Sequence, residues 1–222
     1  EYGKKHPDQF EELIESCQPD DIISLTYTSG TTGNPKAAMF TSRNIIASSR
    51  YLPEATKISA EDLYVCYLPL AHVAERLIGH FLRFLVGNAA VFAESIEDMP
   101  SNIRQTGPTV VFGTPRVWEK FYARIFTGID DATWFQQKIY HWAIHVGKAN
   151  CDVREAGKTP GFWLKIKSIV ARFLVLDKIK EIFGGKIRYM LTGAAPISEQ
   201  ILYFFNWVGI QVFEGYGMTE TS

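Results

Sequence analysis

The most informative stretch of the sequence is Tyr27-Thr28-Ser29-Gly30-Thr31-Thr32-Gly33-Asn34-Pro35-Lys36. It follows an apolar run, Ile22 to Leu25, that is typical of a strand. Glycine permits a tight turn, and backbone N–H groups, four Ser/Thr hydroxyls and the lysine ammonium can all donate to an anion. The spacing excludes the Walker pattern, because two residues separate Gly33 from Lys36 and Ala37 follows the lysine. The stretch therefore predicts a different kind of phosphate-binding loop; the simpler alternative is a Ser/Thr-rich turn between two strands.

Three further segments extend this pattern along the chain. The loop resembles the phosphate loop of the AMP-forming adenylate synthetases, a superfamily that includes the acyl-CoA synthetases. Leu68–Arg76 resembles that family's Pro-x-x-His segment, Leu191–Pro196 its adenine-contacting Gly-Ala-Pro turn, and Glu214–Ser222 its Gly-Tyr-Gly-x-Thr-Glu motif. Leu68–Arg76, Thr114–Lys120 and Thr192–Ser198 are most similar to long-chain fatty acid–CoA ligases. The resemblance covers about residues 21 to 222 and rests on several independent motifs.

The resemblance implies a reaction in two steps. A fatty acid carboxylate attacks the α-phosphate of ATP to give acyl-adenylate and pyrophosphate, and the thiol of coenzyme A then displaces AMP. In this reading Thr219 donates a hydrogen bond to the α-phosphate, and Glu220 and Thr28 are the oxygen ligands of Mg²⁺. The residues expected to hold the phosphates are Thr28, Ser29, Gly30, Thr31, Thr32, Gly33 and Lys36.

The same resemblance assigns the adenine and acyl contacts. Tyr216 offers an aromatic face for adenine, with a core strand position as the alternative. The other residues expected beside the nucleotide are Gly193, Ala194, Ala195, Glu214, Gly215 and Gly217. His72 is placed beside the acyl carboxylate as a positioning group, since a carboxylate substrate needs no deprotonation at neutral pH. Glu75 and Arg76 are left outside the site, as residues that pair with their neighbours.

Alternating apolar runs and helix-like stretches indicate an α/β fold. The resemblance makes this the central part of a large N-terminal domain, with a mixed sheet flanked by helices. The predicted strands are Ile22–Tyr27, Ala37–Thr41, Leu63–Leu68, Ala89–Ala93, Thr109–Gly113, Ile187–Thr192 and Gln211–Glu214. The predicted helices are Ser42–Leu52, Val73–Val86, Pro115–Phe126, Thr133–Asn150, Phe162–Phe183 and Ser198–Val208. Residues 1–222 form a partial AMP-binding domain in this interpretation, and the helix-rich block 115–183 is an insertion between strands.

Composition narrows the classes of partner. The 222 residues carry 23 Lys plus Arg against 24 Asp plus Glu, so the net charge of -1 provides no general field for nucleic acid. Three widely spaced cysteines without a Cys-x-x-Cys pair favour reduced thiols and a cytoplasmic protein. His141 and His145 have a metal-binding spacing on a helix, but the aromatic residues around them favour ordinary packing.

The predicted helix Phe162–Phe183 raises the question of membrane contact. At helical spacing Lys165 and Arg172 share one side, whereas Lys167 falls nearly opposite. A membrane-surface helix has one basic and one apolar face, so this pattern favours a packed helix that breaks near its middle. Peripheral membrane contact stays among the expectations because a fatty acid partitions into lipid, and self-association is expected where apolar edges are exposed.

Several family features differ or are missing. Ala37 replaces a glycine after the loop lysine, and Ser42 stands where family members often have histidine. No Tyr-x-Thr-Gly-Asp ribose segment, hinge arginine or C-terminal catalytic lysine occurs before Ser222. We therefore expect an internal fragment without the C-terminal lid domain, inactive by itself. Two alternatives stay open: a synthetase for another carboxylic acid, and a nucleotide-binding module without catalysis.

Overall fold

The computed structural model describes residues 1–28 and 34–221. The contacts divide the chain into two compact units. One unit comprises residues 1–57, 69–85 and 218–222 and contains an antiparallel hairpin. The other comprises residues 58–68 and 86–217 and contains a five-stranded parallel sheet. The predicted α/β class is confirmed, with antiparallel and parallel pairings in separate sheets.

The structure gives the secondary-structure elements the following bounds. The strands are Ile22–Thr28 (β1), Lys36–Thr41 (β2), Leu63–Cys66 (β3), Ala89–Phe92 (β4), Val110–Gly113 (β5), Tyr189–Thr192 (β6) and Gln211–Glu214 (β7). The α-helices are Tyr2–Lys5 (α1), Asp8–Ser16 (α2), Ser42–Thr56 (α3), Leu82–Val86 (α4), Met99–Thr106 (α5), Pro115–Asp130 (α6), Trp134–Glu155 (α7), Phe162–Ala171 (α8), Asp177–Glu181 (α9) and Glu199–Val208 (α10). Shorter pieces are the π-helical turns Glu75–Phe81 and Arg172–Leu176 and the 3₁₀ turn Thr219–Thr221.

The parallel sheet has the strand order β4-β3-β5-β6-β7. Its strands are in register at their carboxyl ends, where Gly113 pairs with Thr192 and Thr192 with Glu214. Because all five strands run the same way, the segments that leave their carboxyl ends begin at one edge of the sheet. Ligands in open parallel sheets bind at this edge. The motif segments predicted from sequence follow β3, β5, β6 and β7 along the chain.

One aromatic core holds helices against this sheet. Trp118 of α6 is completely buried and its ring lies over Gly113, where a Cβ atom would be 2.6 Å from the ring. Phe121, Phe183 and Phe205 complete the aromatic cluster around Trp118. Burial of rings of this size is the main source of stability for such a layer. Gly113 is therefore required by packing at the end of β5.

A buried carboxylate, ion-paired with an exposed arginine, aligns the amino ends of three neighbouring strands. Asp62, which is 1% exposed, precedes β3, and its carboxylate accepts hydrogen bonds from Arg188 Nη1 at 2.7 and 2.9 Å. It also accepts from Thr109 Oγ1 at 2.7 Å and from the Ser59 N–H at 2.9 Å. Thr109 precedes β5 and Arg188 precedes β6. Satisfying a buried carboxylate in this way leaves little freedom in strand register.

In the hairpin unit, β1 and β2 pair along most of their length. Thr41 caps α3: its hydroxyl accepts from the Asn44 N–H at 3.2 Å, and the Asn44 side chain accepts from the Thr41 N–H at 3.2 Å. The helix begins at Ser42, as predicted, and the residue that caps it is Thr41. Leu25, Tyr27 and Met39 leave much of their side chains exposed on the hairpin.

Some elements differ from the predictions. The predicted helix Val73–Val86 consists of the π-helical turn Glu75–Phe81 followed by α4. The predicted helix Phe162–Phe183 has a π-helical turn at Arg172–Leu176, which agrees with a break near its middle. Helices α1, α2 and α5 were not predicted. They are short, with 4, 9 and 8 residues, so each contains few repeats of a helical apolar period.

A substitution at Gly147 tests how closely α7 packs against α10. A Cβ atom at Gly147 would lie 2.2 Å from the carbonyl oxygen of Trp207 in α10, a distance that backbone atoms cannot accommodate without a shift. We expect Gly147→Ala to lower the free energy of unfolding by about 2 kcal/mol or more. Urea denaturation followed by circular dichroism measures this change.

Gly128 of α6 is the matched control for that substitution. It is also helical, but nothing lies within 4 Å of the position of its Cβ atom. Gly128→Ala should therefore raise stability by about 0.5 to 1 kcal/mol, through the better helix propensity of alanine. Equal effects of the two substitutions would contradict the close approach of α7 and α10.

Candidate active site

The ends of the predicted phosphate loop are adjacent in the hairpin. Thr28 is the last residue of β1, Lys36 is the first of β2, and the two are paired across the strands. The Thr28 hydroxyl donates to the Lys36 carbonyl at 3.4 Å, so its oxygen lone pairs remain able to accept or to ligate. Lys36 is exposed. The phosphate contacts predicted for Ser29, Gly30, Thr31, Thr32 and Gly33 lie outside the described residues.

The turn Thr219–Thr221 belongs to the same unit and lies against β2. Thr219 is half-buried and the Glu220 carboxylate is exposed. The structure thus puts the two residues on an element that contacts the strand beginning at Lys36. Thr28, at the end of β1, pairs with the first residue of the same strand β2.

The donors in this unit suit a hard cation that is also bound by phosphate. Within residues 1–28 and 34–221, no group of three or more His, Cys, Asp or Glu side chains is gathered as for a self-sufficient metal site. Mg²⁺ usually takes one or two protein oxygens and completes its shell with water and substrate phosphate. The carboxylate of Glu220, which is exposed, and the hydroxyl of Thr28 are oxygen donors of the type that such an ion prefers, and their role as its ligands stays a prediction.

His72 has a defined proton arrangement. Its Nδ1 accepts a hydrogen bond from the Ala74 N–H at 3.2 Å, so the neutral ring carries its proton on Nε2. The ring is half-buried, and this burial lowers the pKa of His72 below its usual value. A neutral imidazole with a free Nε2–H can donate to a carboxylate oxygen but adds no charge. The positioning role predicted for His72 requires a group of this kind and stays a prediction.

Arg76 links the His72 segment to β1. Its Nε donates to the Leu70 carbonyl at 2.8 Å, and its Nη1 donates to the Leu25 carbonyl at 2.9 Å and to the Ser24 hydroxyl. The Arg76 N–H also donates to the His72 carbonyl at 3.0 Å. Arg76 was predicted to pair with its neighbours, and in the structure only Leu70 fits that prediction, because the other two side-chain partners belong to the strand that leads into the phosphate loop. Sequence spacing carried no signal for this contact, because some 50 residues separate the partners.

In the sheet unit, two motif turns approach each other closely. A Cβ atom at Gly193 would lie 2.9 Å from the Gly215 carbonyl, so a larger residue at position 193 would push the turns apart. The Gly215 N–H donates to the Thr192 carbonyl at 2.8 Å. Ala194 adopts a left-handed conformation with φ of 70°, which is uncommon for a residue with a Cβ atom. Such backbone strain concentrates at functional turns.

Glu214 acquires a structural contact that sequence reasoning missed. Its Oε1 accepts from the Ile197 N–H at 3.2 Å and so connects the end of β7 to the turn after β6. Glu214 was predicted to lie beside the nucleotide, and in the structure its carboxylate also fixes that turn. Near it, Ala195, Tyr216 and Gly217 are exposed, Tyr216 by 93%. An aromatic ring this open, at the carboxyl edge of a parallel sheet, is available for stacking.

The chain is similar in sequence to proteins of known family. The sequence profile of the family described as AMP-binding enzyme matches residues 2–222. The long-chain-fatty-acid–CoA ligase ACSBG2 of Xenopus laevis is 35% identical over 231 residues, covering 99% of this chain and 31% of that protein. The long-chain-fatty-acid–CoA ligase ACSBG1 of Homo sapiens is 32% identical over 232 residues, covering 100% of this chain and 31% of that protein. The chain spans about a third of the length of the curated relatives it matches.

Solved structures show the same fold. The inhibitor-bound N-terminal domain of FACL13 from Mycobacterium tuberculosis matches 92% of this chain and 39% of its own length, with a TM-score of 0.60 and 18% identity. ATP-bound MatB from Rhodopseudomonas palustris matches 92% of this chain and 30% of its own, with a TM-score of 0.57 and 20% identity. The α/β architecture is therefore shared with the N-terminal domain of FACL13 and with MatB.

The proton arrangement of His72 is directly measurable. Because burial disfavours the charged ring, we expect His72 to titrate below about 6.5, the usual histidine value, and to be the neutral Nε2–H tautomer at pH 7.5. The unfolded chain then binds a proton more readily than the folded one, so stability should fall as the pH drops below about 6.5. Ring ¹⁵N spectra, assigned with His72→Gln, report both the pKa and the tautomer. A protonated ring at pH 7.5, or the Nδ1–H tautomer, would contradict this environment.

Proposed function

Because the chain belongs to the AMP-binding enzyme family, we propose that the protein carrying it activates a long-chain fatty acid with ATP and passes the acyl group to coenzyme A. The observation that supports this most is the pairing of Thr28 with Lys36, in a hairpin against which the Thr219–Thr221 turn lies. Residues from the two best-defined motifs, far apart in sequence, belong to neighbouring elements of one unit. Kinship with long-chain fatty acid–CoA ligases supports the substrate class.

The hairpin unit supplies the phosphate chemistry in this proposal. The Lys36 ammonium offsets the negative charge of the phosphates, which otherwise repels an approaching carboxylate. The Thr219 hydroxyl donates to the α-phosphate as charge builds on its oxygens. Glu220 and Thr28 hold Mg²⁺, which when bound screens the phosphate charge and stabilises pyrophosphate as a leaving group. Positioning and charge neutralisation supply most of the rate in a reaction between two anions.

Different residues are proposed to contact the adenine and the fatty acid. The small residues Gly193, Ala194 and Ala195 give adenine room at the edge of the parallel sheet, and Tyr216 supplies a stacking face. His72 donates its Nε2–H to one carboxylate oxygen of the fatty acid, and Arg76 holds the segment that carries His72. Arg76 is thus a positioning residue.

Several expectations complete the proposal. Coenzyme A is the acyl acceptor, and the protein works in the cytoplasm with peripheral access to membranes, where fatty acids partition. Self-association stays a prediction, suggested by the apolar side chains left exposed on β1 and β2. The 222-residue chain should not turn over alone, since the family's ribose, hinge and catalytic-lysine motifs do not occur in it.

Two substitutions test the phosphate site in the complete coding sequence that includes these residues. Lys36→Met and Glu220→Gln should each lower kcat by about a hundredfold or more, because each removes a contact that strengthens as charge develops on phosphorus. The assay follows AMP release that depends on fatty acid, ATP, Mg²⁺ and coenzyme A. A series of acids from short to long chains measures the preference for acyl length.

Lys5→Met and Glu61→Gln are the matched controls, because both residues are exposed and neither belongs to the proposed site. Their kcat values should stay within about twofold of the parent. AMP formation with short or aromatic acids alone would replace the proposed substrate class. Unchanged kcat in Lys36→Met and Glu220→Gln would remove the proposed phosphate site.

A further inference from the structure

The segment from Phe162 to Leu176 exposes an apolar face. Four of its side chains have more than two thirds of their area exposed: Phe162 at 71%, Trp163 at 72%, Ile169 at 68% and Phe173 at 78%. Ile166 and Val170 are also exposed. At 100° per residue, these six residues fall within about 120° of the helix circumference and so share one side. We call them the exposed stripe.

The opposite side of the same segment already packs against the protein. Ala171 and Leu176 are buried and join Ala143 and Val146 of α7 in a small core cluster. Leu164 and Val175 pack against the edge of that cluster. The helix therefore has two apolar faces, and only one is used in the fold. This differs from the predicted packed helix, because periodicity alone did not show that a second apolar face was left over.

Basic residues border the stripe on both sides. At about 100° per residue, Lys165 and Arg172 lie along one border and Lys167 along the other. All three are exposed, and Arg172 Nε lies 3.4 Å from the Asp177 carboxylate at the carboxyl end of the segment. Lys158, just before the helix, is exposed too. From Ala156 to Leu176 the sequence has no Asp or Glu.

We propose that the exposed stripe docks on the surface of an anionic lipid bilayer, with the helix lying in the plane of the interface. Phe and Trp side chains are favoured at the boundary between headgroups and acyl chains. Lysine stems can extend along the apolar surface and place their ammonium groups among lipid phosphates. None of the described helices is long and apolar enough to cross a bilayer.

Charge distinguishes the stripe from the exposed apolar surface of the hairpin. Strands β1 and β2 also expose Leu25, Tyr27 and Met39, but apart from Lys36 at the start of β2 they contain no Lys or Arg. A surface covered by another protein segment needs no basic residues along both of its borders. Attraction to anionic lipid does need them, and it adds to the burial of the aromatic residues. The inference depends on these basic borders and is independent of the proposed ligase activity.

Vesicle binding by the complete protein tests the proposal. Vesicles of phosphatidylcholine, with or without phosphatidylglycerol, are sedimented and the bound fraction is measured. We expect stronger binding when phosphatidylglycerol is present, and weaker binding as salt rises. Phe173→Asp should lower the partition coefficient at least tenfold, because it replaces an apolar anchor with a charge that the lipid repels. Brominated lipid should quench a part of the tryptophan emission that is absent in Trp163→Phe.

Two further variants keep the test specific. Tyr51→Asp is the matched control, since Tyr51 is 69% exposed and lies on α3 in the other unit. It should bind vesicles like the parent. Lys165→Gln combined with Lys167→Gln removes two surface charges without touching the packed face, so it should fold normally. It should weaken binding to phosphatidylglycerol vesicles by about fivefold per charge and leave binding to neutral vesicles nearly unchanged.

Several outcomes would overturn the proposal. One is vesicle binding by Phe173→Asp equal to that of the parent. Another is slow acrylamide quenching of Trp163 without lipid, which would mean that a segment outside these residues covers the stripe. A third is a dimer that dissociates in Phe173→Asp while the parent ignores vesicles, which would make a second copy the occupant.

Discussion

The parallel pairing of five short strands is the constraint on which the sheet unit depends. Parallel strands need long connections, and here helices supply them. Because the carboxyl ends are in register from Gly113 through Thr192 to Glu214, the turns that follow them start side by side. The ion pair between the buried Asp62 carboxylate and Arg188 performs the corresponding task at the amino ends. Apart from Glu214, the residues of these strands and the Asp62–Arg188 pair belong to no predicted site, yet they determine the positions of the motif residues.

Sequence predicted what local rules control. The Thr41 cap, the start of α6 at Pro115 and the core strands follow from side-chain hydrogen bonding, proline geometry and apolar runs. Contacts made across long sequence separations were beyond those rules. The donation from Arg76 to β1 and the contact of Glu214 with Ile197 depend on tertiary placement, and no spacing in the sequence encodes either. For that reason Arg76 looked like an ordinary surface pair.

The helix after residue 161 shows a second limit. Its hydrophobic residues cover most of its circumference, so periodicity indicated burial without saying how many sides are covered. In the structure α7 takes one side only. The basic residues that seemed to contradict a membrane-surface helix are the two margins of the side that α7 leaves open. The same lysines support opposite conclusions depending on which apolar face is buried.

The contact of Gly147 with the Trp207 carbonyl has a mechanical consequence. It puts the backbones of α7 and α10 in direct contact. Helix α10 connects β6 to β7, and the turns that follow these two strands contain Gly193 and Gly215. Helix α7 also supports the segment that bears the exposed stripe. Because α7 and α10 are in such close contact, the helix that bears the exposed stripe and the carboxyl edge of the sheet would move together as one rigid body. Docking of the stripe on a bilayer would therefore fix the orientation of this edge of the sheet relative to the membrane surface.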